Sequence, residues 1–163
     1  QLMPRITAYL LRRADKFGGV DAVQPPDGVL LVIDDDKLML SMMKRAVERF
    51  AKQRNLQVVS CGNLDAASRY LTEAKFLVTD WCPYGATNQN VADMERFVLQ
   101  LDLPTVIVTG ASASVHLQPS TTIGIVDKRQ ESRPLVFRIE DELNRVAERR
   151  EPPVGMEGTP HAV

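Results

Sequence analysis

The chain has 163 residues, 44% of them hydrophobic and 25% charged, with 20 Lys+Arg against 21 Asp+Glu. These proportions suit one compact domain with appendages and exclude a fibrous or disordered chain. The net charge of -1 gives no bulk attraction to nucleic acid or anionic lipid. No apolar run is long enough to cross a bilayer, and the opening segment lacks the layout of a signal peptide. Cys61 and Cys82 are too few for a disulfide framework and have no Cys-x-x-Cys zinc spacing, so a reducing, cytoplasmic setting is expected.

In chain order, Leu2, Ile6, Tyr9, Leu10, Ala14 and Phe17 recur at helical spacing between Pro4 and Gly18-Gly19, which predicts a short amphipathic helix. Residues 18–28, with Gln24-Pro25-Pro26-Asp27-Gly28, form a linker, so residues 1–28 are expected to be an N-terminal helix and linker. Five short runs rich in Val, Ile and Leu follow: Val29–Ile33, Leu56–Val59, Phe76–Val78, Thr105–Val108 and Ile123–Val126. They lack polar alternation, as parallel strands buried on both faces do. Between them, Leu38, Met42, Met43, Ala46, Val47 and Phe50 predict one helical face. Asn63 caps a second helix carrying Leu64, Ala67, Tyr70 and Leu71, and a third holds Val91, Met94, Phe97 and Val98. The last helix runs from about Pro134 to Arg149 with Leu135, Ile139, Leu143 and Val146 as its stripe. The alternation predicts a doubly wound α/β domain over 29–150, and a disordered tail over 151–163.

Reactive groups in such sheets gather beyond the carboxyl ends of the strands. Here those ends read Ile33-Asp34-Asp35-Asp36, Val78-Thr79-Asp80, Val108-Thr109-Gly110 and Val126-Asp127-Lys128. Carboxylates packed together repel one another unless a cation neutralises them, and Mg²⁺, a hard ion that prefers oxygen ligands and completes its shell with phosphate, suits the cluster. An Asp flanked by that metal, a Lys and a Thr hydroxyl is equipped to attack a phosphoryl group. Asp36 is better placed as a helix cap.

These four stretches, Val-Leu-Leu-Val-Ile-Asp-Asp-Asp at 29–36, Phe-Leu-Val-Thr-Asp at 76–80, Pro-Thr-Val-Ile-Val-Thr-Gly at 104–110 and Ile-Val-Asp-Lys at 125–128, resemble a response-regulator receiver domain of two-component signalling. The resemblance implies a five-stranded parallel sheet of order 2-1-3-4-5. It makes Asp80 the phosphoacceptor, Asp34 and Asp35 the metal acids with Asp80, and the backbone carbonyl of Cys82 a further metal ligand. It makes Thr109 the switch hydroxyl and Lys128 the contact to the phosphoryl group. The cofactor implied is Mg²⁺, and the partner a histidine kinase or phosphotransfer protein. Strand order would also keep Cys61 and Cys82 about 10 Å apart, beyond the roughly 7 Å that a disulfide spans. His116 and His161 receive no chemistry, and Met39, Met42 and Met43 fill the core.

The sequence departs from the family in three places. Trp81-Cys82-Pro83-Tyr84-Gly85 leads into a polar loop over Ala86–Asn90, with its Pro one position early. Residues 111–122, with Pro119, leave room for a fourth helix that is shortened or absent. Ile125 stands where many members carry a switching aromatic residue, and Arg129 follows Lys128 where they carry Pro. The pocket thus reads as complete and the relay to the surface as altered. Two other functions compete: a receiver-like scaffold that is never phosphorylated, and a haloacid-dehalogenase-type phosphatase using Asp34 and Asp36. One helix and a tail after Lys128 leave no room for a helix-turn-helix reader of DNA. The N-terminal helix offers a face for homodimerisation or a link to an upstream kinase. The chain suits either the receiver of a hybrid kinase or a single-domain regulator.

Overall fold

The computed structural model describes residues 24–81, 88–110 and 115–148. The expected N-terminal helix, Cys82 to Thr87 of the loop after Asp80, and the tail lie outside the described residues. The strands are β1 (Gly28–Ile33), β2 (Leu56–Cys61), β3 (Ala74–Asp80), β4 (Thr105–Thr109) and β5 (Ile123–Asp127). They form one parallel sheet in the order β2-β1-β3-β4-β5. Most reach beyond the apolar runs that announce them, because Ser60, Thr79, Asp80, Thr109 and Asp127 still join the ladder at the ends.

The helices are α1 (Lys37–Gln53), α2 (Leu64–Ala67), α3 (Asn88–Leu101) and α4 (Leu135–Glu148). Successive strand residues point to opposite faces, so each strand feeds two cores. Leu30, Val32, Val78, Val106 and Val126 pack against Met43, Val47 and Phe50 of α1 and Ile139, Leu143 and Val146 of α4. Leu31, Ile33, Leu77 and Ile107 pack on the other side with Ala67, Trp81, Met94 and Val98. Both faces are covered, which is why the strands read as unbroken apolar runs.

Three local readings change, and the expectation of a shortened or absent fourth helix agrees with the described residues 115–122. Leu38, predicted on the buried face of α1, is 80% exposed; the buried stripe is Met43, Ala46, Val47, Phe50 and Ala51, with Met39 beside it. Met39 and Leu40 take the inward positions of this first turn, which leaves Leu38 facing out. The second helix is a single α turn capped by Asn63 that tightens into a 3₁₀ turn, Ser68–Tyr70. α3 begins at Asn88, inside the stretch expected to be loop. Residues 115–122 contain no helix; Leu117 is buried there, and Arg145 of α4 donates to the carbonyls of Ser120 (3.2 Å) and Ile123 (3.4 Å). That segment is held by these bonds, by backbone bonds at Ser120 and Thr122, and by the apolar contacts of Val115 and Leu117.

Asn55, just past α1, has φ 52°, the left-handed conformation that Asn tolerates better than most residues. Its Nδ2 donates to Pro25 O at 2.9 Å and its carbonyl accepts from Asp27 N at 2.8 Å. The linker is thereby tied to the amino end of the sheet. Cys61 is a buried free thiol, and burial pushes its pKa up.

Candidate functional site: an acidic pocket at the carboxyl edge

Backbone bonds set the pocket before any side chain does. Past the end of β1, Asp34 N still donates to Cys61 O at 3.1 Å, and past β5, Lys128 N donates to Thr109 O at 2.9 Å. Ile33 pairs with Thr79, Asp80 with Val108, and Thr109 with Asp127. Asp34, Asp80, Thr109 and Lys128 therefore share one edge. Asp34 is 1% exposed and Thr109 is buried. Asp80 is half-buried and Asp35 exposed.

Lys128, one residue past β5, spans the mouth of the sheet. Its Nζ lies 2.9 Å from Asp80 Oδ1 and 3.4 Å from Asp34 Oδ2. Burial alone lowers the pKa of the ammonium, but the hydrogen bond and charge of Asp80, with the charge of Asp34, outweigh it and raise it. Burial raises the Asp34 carboxyl, with the Asp80 charge adding to the effect. The Asp36 amide at 2.9 Å from Oδ1, and Lys128, oppose it without cancelling it. The pocket holds one acid against its preference, and a lysine that resists losing its proton.

One oxygen from each of Asp34, Asp35 and Asp80 lies within 4.8 Å of the others. The set is all oxygen, the donor type that Mg²⁺ takes. Asp36 is used elsewhere: its Oδ1 accepts from Leu38 N (2.8 Å) and Met39 N (3.0 Å), capping α1. Its own amide is the donor to Asp34 Oδ1, an Asx-turn contact that positions that carboxylate. The Cys82 carbonyl lies outside the described residues, whereas His116 is exposed on the 115–122 segment. Asp127 accepts from the backbone and side chain of Arg129, the residue standing where the family carries Pro.

No protein-family model and no curated protein matches the chain. Solved structures do. The chain is similar to a transiently phosphorylated "switch" in bacterial signal transduction, with a TM-score of 0.53 and 17% identity over 77% of this chain and 99% of that one. A signal receiver domain of a two-component histidine kinase from Clostridium thermocellum gives 0.53 at 14% identity, over 74% and 97%. The receiver domain of the response regulator PhyR from Erythrobacter litoralis gives 0.51 at 15%, over 85% and 98%. At such identities the likeness establishes architecture: the chain has the receiver fold of two-component response regulators.

Proposed function

We propose that this domain is a phospho-accepting receiver of a cytoplasmic two-component system, which takes a phosphoryl group from a histidine kinase or phosphotransfer protein onto Asp80. The observation that carries the reading is the Lys128 ammonium bridging Asp80 and Asp34 at the carboxyl edge. In the reaction a carboxylate oxygen of Asp80 attacks phosphorus. The P–N bond to the donor imidazole breaks, its electron pair stays on nitrogen, and an acyl phosphate forms on Asp80. Lys128 turns from the carboxylate to a phosphoryl oxygen and offsets its charge, and the Thr109 hydroxyl bonds a second oxygen. Asp34, Asp35 and Asp80, with the Cys82 carbonyl, would hold Mg²⁺, which supplies neutralisation of the remaining phosphoryl charge. Such chemistry is mainly positioning and electrostatics, so small phosphoryl donors should also serve.

The phosphatase alternative needs a second acid at Asp36 and gives Asp80 no part. Asp36 is committed to the α1 amides, and among the described residues Asp80 is the carboxylate nearest Lys128. Beryllium trifluoride, a phosphoryl mimic that coordinates a carboxylate oxygen, separates a receiver from an inert scaffold. Bound ¹⁹F resonances are expected with Mg²⁺ and none in Asp80→Asn; their absence from the wild type favours the scaffold.

A further inference from the structure

At the opposite, amino edge of the sheet, a groove of about 520 Å³ opens between the carboxyl ends of α1 and α4. Its apolar lining is Leu56, Phe76, Leu103, Pro104 and Ala147, with Leu56, Phe76 and Leu103 only half-buried. Arg54 forms part of the wall and is flattened over the Phe50 ring at 3.9 Å, so its guanidinium is stacked against the protein. The volume is that of a ligand pocket, and the charged residues Asp27, Arg54 and Lys75 stand on its wall beside the apolar ones. It is shaped to take apolar side chains.

The chain supplies them nearby. Asp27, itself on the groove wall, is bonded to Asn55 O, and Pro25 O accepts from Asn55 Nδ2, so the chain reaches residue 24 at the rim. Residues 1–23 precede that point, and Leu2, Ile6, Tyr9, Leu10, Ala14 and Phe17 fall on one helical face. A helix over 2–17 is about 24 Å long. The six residues 18–23 extend to at most about 20 Å, which puts that face within reach. A helix this short is marginal in water unless its apolar face is covered. The other segment leaving this edge, residues 149–163, has Pro152, Pro153 and Pro160 and offers only Val154, Met156 and Val163 as large apolar residues.

We infer that residues 2–17 dock in cis, as an amphipathic helix, into the amino-edge groove lined by Leu56, Phe76, Leu103 and Ala147. Tethering makes the contact intramolecular, so modest contact suffices. The inference does not depend on the phosphoryl chemistry at the opposite edge.

Hydrogen exchange on the full chain tests it, beside Leu10→Asp and Leu103→Glu. The amides of residues 5–14 should exchange at least about tenfold more slowly than an unstructured peptide, independently of protein concentration, and lose that protection in Leu10→Asp. The methyl resonances of Leu56, Leu103 and Ala147 should shift in Leu10→Asp while those of Leu31 stay in place. Leu10 precedes the sheet and its helices in the chain, so this arm holds even if Leu103→Glu fails to fold. Unprotected residues 5–14 overturn the inference. So does protection that falls on dilution, which assigns the helix to a second copy, and so does protection that survives in a folded Leu103→Glu or leaves the groove methyls unmoved by Leu10→Asp, which places the helix elsewhere.

Discussion

Asp34 is a carboxylate held where a carboxylate is costly. It is nearly fully buried, its pKa is raised by that burial first, and one amide and Lys128 only partly offset the cost. The folded chain therefore binds this proton more tightly than the unfolded chain. The linked stability falls as pH rises from the ordinary value of 3.8 through the raised one. Asp34→Asn, whose amide oxygen can still accept from the Asp36 amide, removes this dependence. Without metal, the variant should be more stable than wild type at neutral pH, and the advantage should vanish in acid. Added Mg²⁺ should raise the denaturation midpoint of the wild type and leave Asp34→Asn nearly unmoved. A neutral-pH loss of stability in the variant, constant with pH, contradicts this account of the pocket. Lys128 follows the same sense at the alkaline end: with its pKa raised, its contribution is complete below 10.5 and is lost only as pH rises through the higher folded value.

Among the elements, the strands were legible because a parallel strand has to be apolar where both faces are covered, as β1 is; β2, at the edge of the sheet, exposes Gln57 and Ser60 and still keeps enough Leu and Val to be read. The helices were legible where they are long. α2 was overestimated because Tyr70 and Leu71 pack against the same core from a 3₁₀ turn as they would from an α-helix. Leu38 was misplaced because several apolar residues share the first turn, and Met39 and Leu40 take its inward positions. Asn55 shows a local rule at work: its φ of 52° ends α1 and its side chain fastens the linker to Pro25. Asn55→Ala should cost about 1 kcal/mol from the left-handed conformation alone, with Asn55→Gly closer to wild type. Urea denaturation decides it, and equal midpoints for Ala and wild type would show that the linker contact and the backbone conformation carry no weight.

At the scale of the molecule, the two edges of the sheet have different chemistry. The carboxyl edge gathers Asp34, Asp35, Asp80, Thr109 and Lys128, and the amino edge is an apolar groove beside the linker. Lys128 and Asp34 are separated by 94 positions, and only the strand order brings them together. Their meeting could be expected from the motifs and the topology. The Asp36 amide that steadies Asp34 is a local Asx turn that an Asp two residues earlier permits, whereas the Arg145 bonds that hold the segment leading into β5 depend on packing that no spacing encodes. The most direct test of the central claim is the intact mass of the protein after incubation with acetyl phosphate and Mg²⁺, beside Asp80→Asn and a metal-free control. One phosphoryl adduct that requires both Mg²⁺ and Asp80 is the predicted result. An adduct that persists in Asp80→Asn and is lost in Asp34→Asn would contradict it and make Asp34 the nucleophile.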